Sequence, residues 1–155
     1  MKRDFMKFKL ALVTALLATS GIASALEVGI NAGRSFTGTD RNNTGITIGQ
    51  RTGPVGIEAG FDAFRSGVDQ NRWSLIGSYD VTKVAGATVA VKAGGAWLDN
   101  KGTTSDGYTA LVGAGASYPL SKQLALTADY KYQIGQKRVD QFNGSNVTAG
   151  LKYSF

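Results

Sequence analysis

The last nine residues alternate strictly: Val147, Ala149, Leu151, Tyr153 and Phe155 fall on one side, and Thr148, Gly150, Lys152 and Ser154 on the other. A period of two belongs to a β-strand with one apolar and one polar face, and here it runs to the terminal aromatic residue. The same alternation recurs upstream between breaks rich in Gly, Asn, Asp and Ser, and beyond residue 25 no useful stretch follows a 3.6-residue period. The chain is therefore expected to be all-β.

Seven further strands can be placed. Leu26 to Arg34 sets Leu26, Val28, Ile30 and Ala32 against Glu27, Gly29, Asn31 and Gly33. Gly45 to Arg51 opposes Ile46 and Ile48 to Thr47, Gly49 and Arg51, and Val55 to Phe64 opposes Val55, Ile57, Ala59, Phe61 and Ala63 to Gly56, Glu58, Gly60 and Asp62. Arg72 to Asp80 has Trp73, Leu75, Gly77 and Tyr79 on its apolar side. Ala87 to Trp97, Tyr108 to Tyr118 and Leu124 to Gln133 continue the pattern before the tail supplies strand eight.

An even number of short antiparallel strands predicts a closed up-and-down barrel, which leaves no edge unpaired and satisfies every backbone group inside lipid. Strands of about nine to eleven residues suit a tilted bilayer crossing. The expected connections alternate. Thr52 to Pro54, Val81 to Gly86 and Pro119 to Gln123 are short, whereas Phe36 to Thr44, Leu98 to Gly107 and Gly135 to Ser145 are longer, with Arg65 to Asn71 a short fourth loop on the longer-loop side. Aromatic residues sort into two belts, Phe36, Trp73, Trp97, Tyr108 and Tyr132 toward the longer loops and Tyr79, Tyr118, Tyr153 and Phe155 toward the short turns, as rings at two water–lipid boundaries would.

The amino end carries Lys2, Arg3, Lys7 and Lys9, then an apolar run from Leu10 to Ala18, then Ala23, Ser24 and Ala25. This is the pattern of a secretory signal peptide cleaved after Ala25: the apolar run is too short to span a bilayer, and small residues precede the cut. Residues 1–25 would then be a leader and 26–155 a single barrel domain. Four bases and one acid leave with the leader, so the formal net charge falls from +6 to about +3, which argues little for nucleic acid.

The order polar, Gly, apolar, aromatic in Thr148, Gly150, Tyr153 and Phe155 resembles the carboxyl-terminal signal that assembly machinery reads in bacterial outer-membrane barrels. From Leu26 to Phe155 the chain is similar to the small eight-stranded barrels of Gram-negative outer membranes, the group of OmpA-type transmembrane domains, OmpX-like proteins and opacity-type surface proteins. That resemblance implies an outer-membrane location, insertion by the barrel-assembly machinery, and contact with outer-membrane lipid and lipopolysaccharide. Members often adhere through long outer loops; the longest here, Gly135 to Ser145, is modest and does not favour adhesion.

By this register Glu27, Glu58, Asp62 and Asp129 face inward with Arg51, Lys92, Lys131 and Lys152. An eight-stranded barrel is only wide enough for side chains to fill, and unpaired charges in it are costly, so a salt-bridged plug is expected in preference to an ion-conducting pore. Inward glycines at 29, 33, 49, 56, 60, 94, 113, 115 and 150 are expected to leave room for the long charged groups. Lys152 should meet Glu27 and Asp129. Charges expected in the outer loops, including Arg41, Arg65, Lys101, Lys137 and Arg138 with Asp40, Asp69, Asp99, Asp106 and Asp140, nearly balance. Arg34 and Arg72 fall near the outer belt, where a guanidinium reaches lipopolysaccharide phosphates.

The chain has no histidine and no cysteine, which removes the usual base of serine hydrolysis and the commonest metal ligand. No phosphate-cradling glycine loop, nucleophile elbow or calcium loop is present. The expectation is a non-enzymatic, cofactor-free barrel, monomeric, with a structural or surface-interaction role in the cell envelope. A narrow porin-like channel and a soluble secreted or periplasmic β-protein are the alternatives.

Overall fold

The computed structural model describes residues 25–37, 39–65, 70–100, 107–135 and 144–155. They form β1 (Ala25–Thr37), β2 (Thr39–Thr52), β3 (Val55–Arg65), β4 (Gln70–Val84), β5 (Ala87–Asn100), β6 (Gly107–Pro119), β7 (Leu124–Gly135) and β8 (Gly144–Ser154). Each strand pairs antiparallel with the next, and β8 pairs with β1 to close the barrel. The closing seam runs from Glu27 opposite Ser154 to Phe36 opposite Ser145. Beyond it, the Phe155 amide donates to the Leu26 carbonyl at 2.9 Å, so the last residue is stitched to the first strand.

Three tight turns lie at the end of the barrel that holds Phe155. Gly53 (φ 59°) leads into Pro54, and Ala85 (φ 51°) with Gly86 (φ 84°) forms a two-residue connection. Positive φ at both central positions is the mirror-image type I′ turn, whose twist suits a hairpin. In the third turn the Ser121 hydroxyl accepts from the amides of Gln123 (3.3 Å) and Leu124 (3.0 Å).

The opposite rim differs from expectation. Phe36 to Thr44, expected as a loop, is mostly strand: β1 and β2 remain in register up to Thr37 opposite Thr39. Hydrophobic contrast cannot reveal this extension, because both faces are polar there; Arg41 and Asn43 turn inward and are buried, while Asn42 and Thr44 face out. Strands accordingly span 11 to 15 residues. Near the other rim a register shift between Asp80 and Thr82 leaves Val81 unpaired, a bulge of the kind common where barrel strands end.

Solvent exposure is inverted relative to a soluble protein. Twelve polar or charged residues but only seven apolar ones are buried among those described. Meanwhile Ile30 (59% exposed), Ile46 (60%), Val91 (50%) and Phe155 (71%) cover the outer wall. A water-soluble fold would lose roughly 1.5–3 kcal/mol for each such side chain left in water, whereas a hydrocarbon surround removes that cost.

Candidate functional site

Among the described residues, the interior gathers chemically active groups from many strands, and it divides into three levels. At the turn end, Arg51 on β2 meets Glu27 on β1 (3.5 Å) and Asp80 on β4 (2.7 Å). Lys152 on β8 meets Glu27 (3.4 Å) and Glu58 on β3 (3.5 Å), and Lys92 on β5 meets Asp129 on β7 (2.6 Å). All of these groups except Glu58 line a vestibule of about 180 Å³. Above it, Ile76, Ala96 and Leu111 form a small apolar layer inside the barrel.

The third level is a dense polar network toward the far rim. Arg72 on β4 donates from Nε (3.1 Å) and Nη2 (2.8 Å) to Asp62 Oδ2, from Nη1 to Gln133 Oε1 (3.2 Å), and from Nη2 to Asn146 Oδ1 (3.3 Å). Asn146 in turn donates to Asn43 Oδ1 (2.9 Å) and to the Arg34 carbonyl (3.2 Å). The Phe64 ring lies between two guanidinium groups, Arg41 at 5.1 Å and Arg72 at 5.0 Å from its centroid. Arg41 also donates to Gln70 Oε1 at 3.2 Å. Such cation–π contacts gain strength where water is excluded.

All eight expected lumen charges, Glu27, Arg51, Glu58, Asp62, Lys92, Asp129, Lys131 and Lys152, do point inward. Their pairing differs in one respect: Asp129 takes Lys92, and Lys152 takes Glu58 with Glu27. Lys152 lies opposite Ala125, four residues down β7 from Asp129, which is about 13 Å along a strand. Lys92 and Asp129 instead converge across β6, where Lys92 lies opposite Gly113 and Asp129 opposite Gly115. A Cβ at Gly115 would strike the Asp129 carboxylate and approach Lys92 Cε to 3.0 Å. Lys131 is 5% exposed and makes no ion pair within 4.0 Å among the described residues.

Arg72 requires correction. It does not reach the outer surface; it is 1% exposed and bound to Asp62. The outward placing of Trp73 already implies an inward Arg72 under period-two alternation, and the same parity places Asp80 inside. Arg41, expected in a loop, joins them. Arg34 does face outward, beside the Phe36 ring at 5.9 Å. The glycine expectation also needs revision. Gly56 and Gly115 make room for charged side chains, but a Cβ at Gly33, Gly94, Gly113 or Gly150 would collide with the backbone of an adjacent strand; those positions permit close strand approach.

In the tail, Thr148 and Gly150 face inward, while Tyr153 and Phe155 face outward with ring centroids 4.9 Å apart. Phe61, Trp73, Trp97 and Tyr108 occupy one continuous row across β3 to β6, with Phe61–Trp73 at 4.6 Å and Trp97–Tyr108 at 4.5 Å. Phe61 was not expected in this belt. Residues 1–24, Asp69, Lys101, Asp106, Lys137, Arg138 and Asp140 lie outside the described residues.

A closed, eight-stranded antiparallel barrel with an apolar outer wall and an ion-paired interior defines the class: the small outer-membrane type of β-barrel. A family model described as YfaZ precursor matches residues 5–154, and the chain belongs to that family. The amino-terminal β-barrel domain of Pseudomonas aeruginosa OprF is similar at 22% identity, with a TM-score of 0.69 over 84% of this chain and 97% of that one. Neisserial surface protein A gives 16% identity and 0.64 over 85% and 97%. Ail, the attachment invasion locus protein of Yersinia pestis, gives 14% and 0.56 over 85% and 97%. At these identities the likeness is one of fold. No curated protein matches the chain significantly.

Proposed function

We propose that the protein is an integral outer-membrane barrel of the Gram-negative envelope, exported through a leader spanning residues 1–25, with a non-enzymatic structural or surface-interaction role and a lumen closed by its own charges. The observation that carries this reading is the inverted wall: apolar side chains outside, and Arg72, Asp62, Lys92 and Asp129 paired within. Thr148, Gly150, Tyr153 and Phe155 act as the assembly signal, and outer-membrane lipid and lipopolysaccharide are the surrounding partners of a monomer.

Closure follows from the three levels acting in series. An ion entering from the turn end meets the vestibule salt bridges, then Ile76 and Leu111, then the Arg72–Asp62–Phe64 layer. Displacing any buried pair leaves uncompensated charge, at several kcal/mol. The decisive experiment combines intact-mass analysis of the outer-membrane fraction with planar-bilayer recording of the purified protein. The expected results are a chain beginning at Leu26, heat-modifiable migration and no stable conductance. Recovery only from soluble periplasm defeats the membrane reading. Steady conductance defeats closure and favours the narrow channel, for which the vestibule would be the inner mouth.

A further inference from the structure

The outer wall is not uniform. Across β1 to β4, one side carries a trench of about 370 Å³ lined by Val28, Ile30, Ile46, Ala59, Phe61 and Trp73. Ala59 faces outward by register yet is only 3% exposed, sunk below its larger neighbours as the floor. The register stacks this trench under a distinct rim. Ile30, Ile46, Phe61 and Trp73 form one row; Ala32, Thr44 and Ala63 form the next outward row; Arg34, Asn42 and Arg65 form the third.

Both arginines in that third row are exposed. They sit two strands apart, which at about 4.8 Å per strand places their backbones roughly 10 Å from one another. Arg65 is steadied by hydrogen bonds to the Phe64 carbonyl (3.1 Å) and Asn71 Oδ1 (3.3 Å), and Arg34 lies by the Phe36 ring. Asp99 on β5, opposite Asn71, bounds the cationic stretch on one side. From Arg34 down to Ile30 and Val28 is about 13–20 Å along the strand, within reach of one extended acyl chain.

We infer that this face, resting on the membrane-integral reading above, is a docking site for a lipid whose headgroup carries two phosphates, Arg34 and Arg65 each taking one and an acyl chain lying in the trench. Apolar burial contributes little selectivity, because the surrounding lipid is equally apolar. Selectivity comes from the guanidinium groups, whose planar donor forks match phosphate oxygens and hold them at a low-water boundary. A second copy of this chain fits less well: a two-fold axis along the membrane normal brings the Arg34 and Arg65 rows of both copies to the same level, like charge against like.

The test uses the full mature protein in detergent, titrated with bisphosphorylated lipid A, monophosphorylated lipid A or phosphatidylglycerol, with retained lipid counted by native mass spectrometry. The bisphosphorylated lipid is expected to be retained about tenfold more tightly than the monophosphorylated one, a difference of about 1.4 kcal/mol. Arg34→Gln and Arg65→Gln should each erase that difference, and Ala59→Phe, which fills the trench, should weaken retention while migration stays heat-modifiable. Equal retention of all three lipids by the wild type overturns the inference without any variant, as does selectivity surviving both arginine substitutions. A dimer that dissociates on Ala59→Phe assigns the trench to a second copy instead. If the wild type does not insert into bilayers at all, the membrane reading falls with it; selective failure in an inserted protein refutes the lipid site alone.

Discussion

Arg72 offers the sharpest test of how the interior is held. Its side chain is 2% exposed and that of Asp62 is 6% exposed, so water cannot replace either partner. Arg72→Met removes two hydrogen bonds to Asp62 and leaves that carboxylate buried without its cation, a loss of about 3–5 kcal/mol for a buried pair broken on one side. The acceptors on Gln133 and Asn146 lose a donor as well, which places the expected cost near the upper end. Asp62→Asn keeps an acceptor beside Arg72 and should cost about 2 kcal/mol, within the range for hydrogen bonds to charged groups.

The double variant carries neither charge. It should cost about 3 kcal/mol, well below the sum of about 7 kcal/mol for the single changes, giving an interaction energy of about 4 kcal/mol in magnitude. Urea unfolding from liposomes can be followed by the fluorescence of Trp73 and Trp97, the chain's only tryptophans, with heat-modifiable migration as an independent measure of folding. If Arg72→Met costs less than about 1 kcal/mol and the cycle shows no coupling, water reaches the pair. The dense upper layer is then open, and the closure argument fails with it.

Lys152→Glu should destabilise the barrel by about 3 kcal/mol, because Glu27, Glu58 and the new carboxylate would crowd together, whereas Lys152→Met should cost clearly less; equal melting of the two variants would refute the pairing. Deleting Phe155 removes one seam hydrogen bond and one ring contact, about 1–3 kcal/mol in refolding assays, yet should reduce outer-membrane abundance far more in cells; normal abundance there contradicts a role in assembly. Ala85→Asn should raise stability by about 1 kcal/mol, since Ala85 holds a positive φ (51°) that asparagine tolerates better. A lowered midpoint in thermal or urea unfolding would show that the turn does not carry that cost.

Period-two alternation sufficed wherever a strand borders lipid, because an apolar face against a polar one leaves a single choice of orientation. Val28, Ile46, Phe61, Val91, Val112, Tyr130 and Leu151 all face outward for that reason, and the number of strands and the sequence of short turns follow from the same pattern. The eight lumen charges were legible too, as residues facing inward. Their partners were not. The bonds from Arg72 to Gln133 and Asn146 join residues 61 and 74 positions apart, and only the tilt and closure of the sheet decide which inward side chains share a level. That geometry gives Asp129 to Lys92, joins Arg72 to Asp62, and sets Arg34 and Arg65 in one row. The strand extension through Arg41 and Asn43 was hidden for a different reason: beyond the lipid boundary both faces are polar, so alternation carries no contrast, and backbone pairing with β1 alone continues the strand.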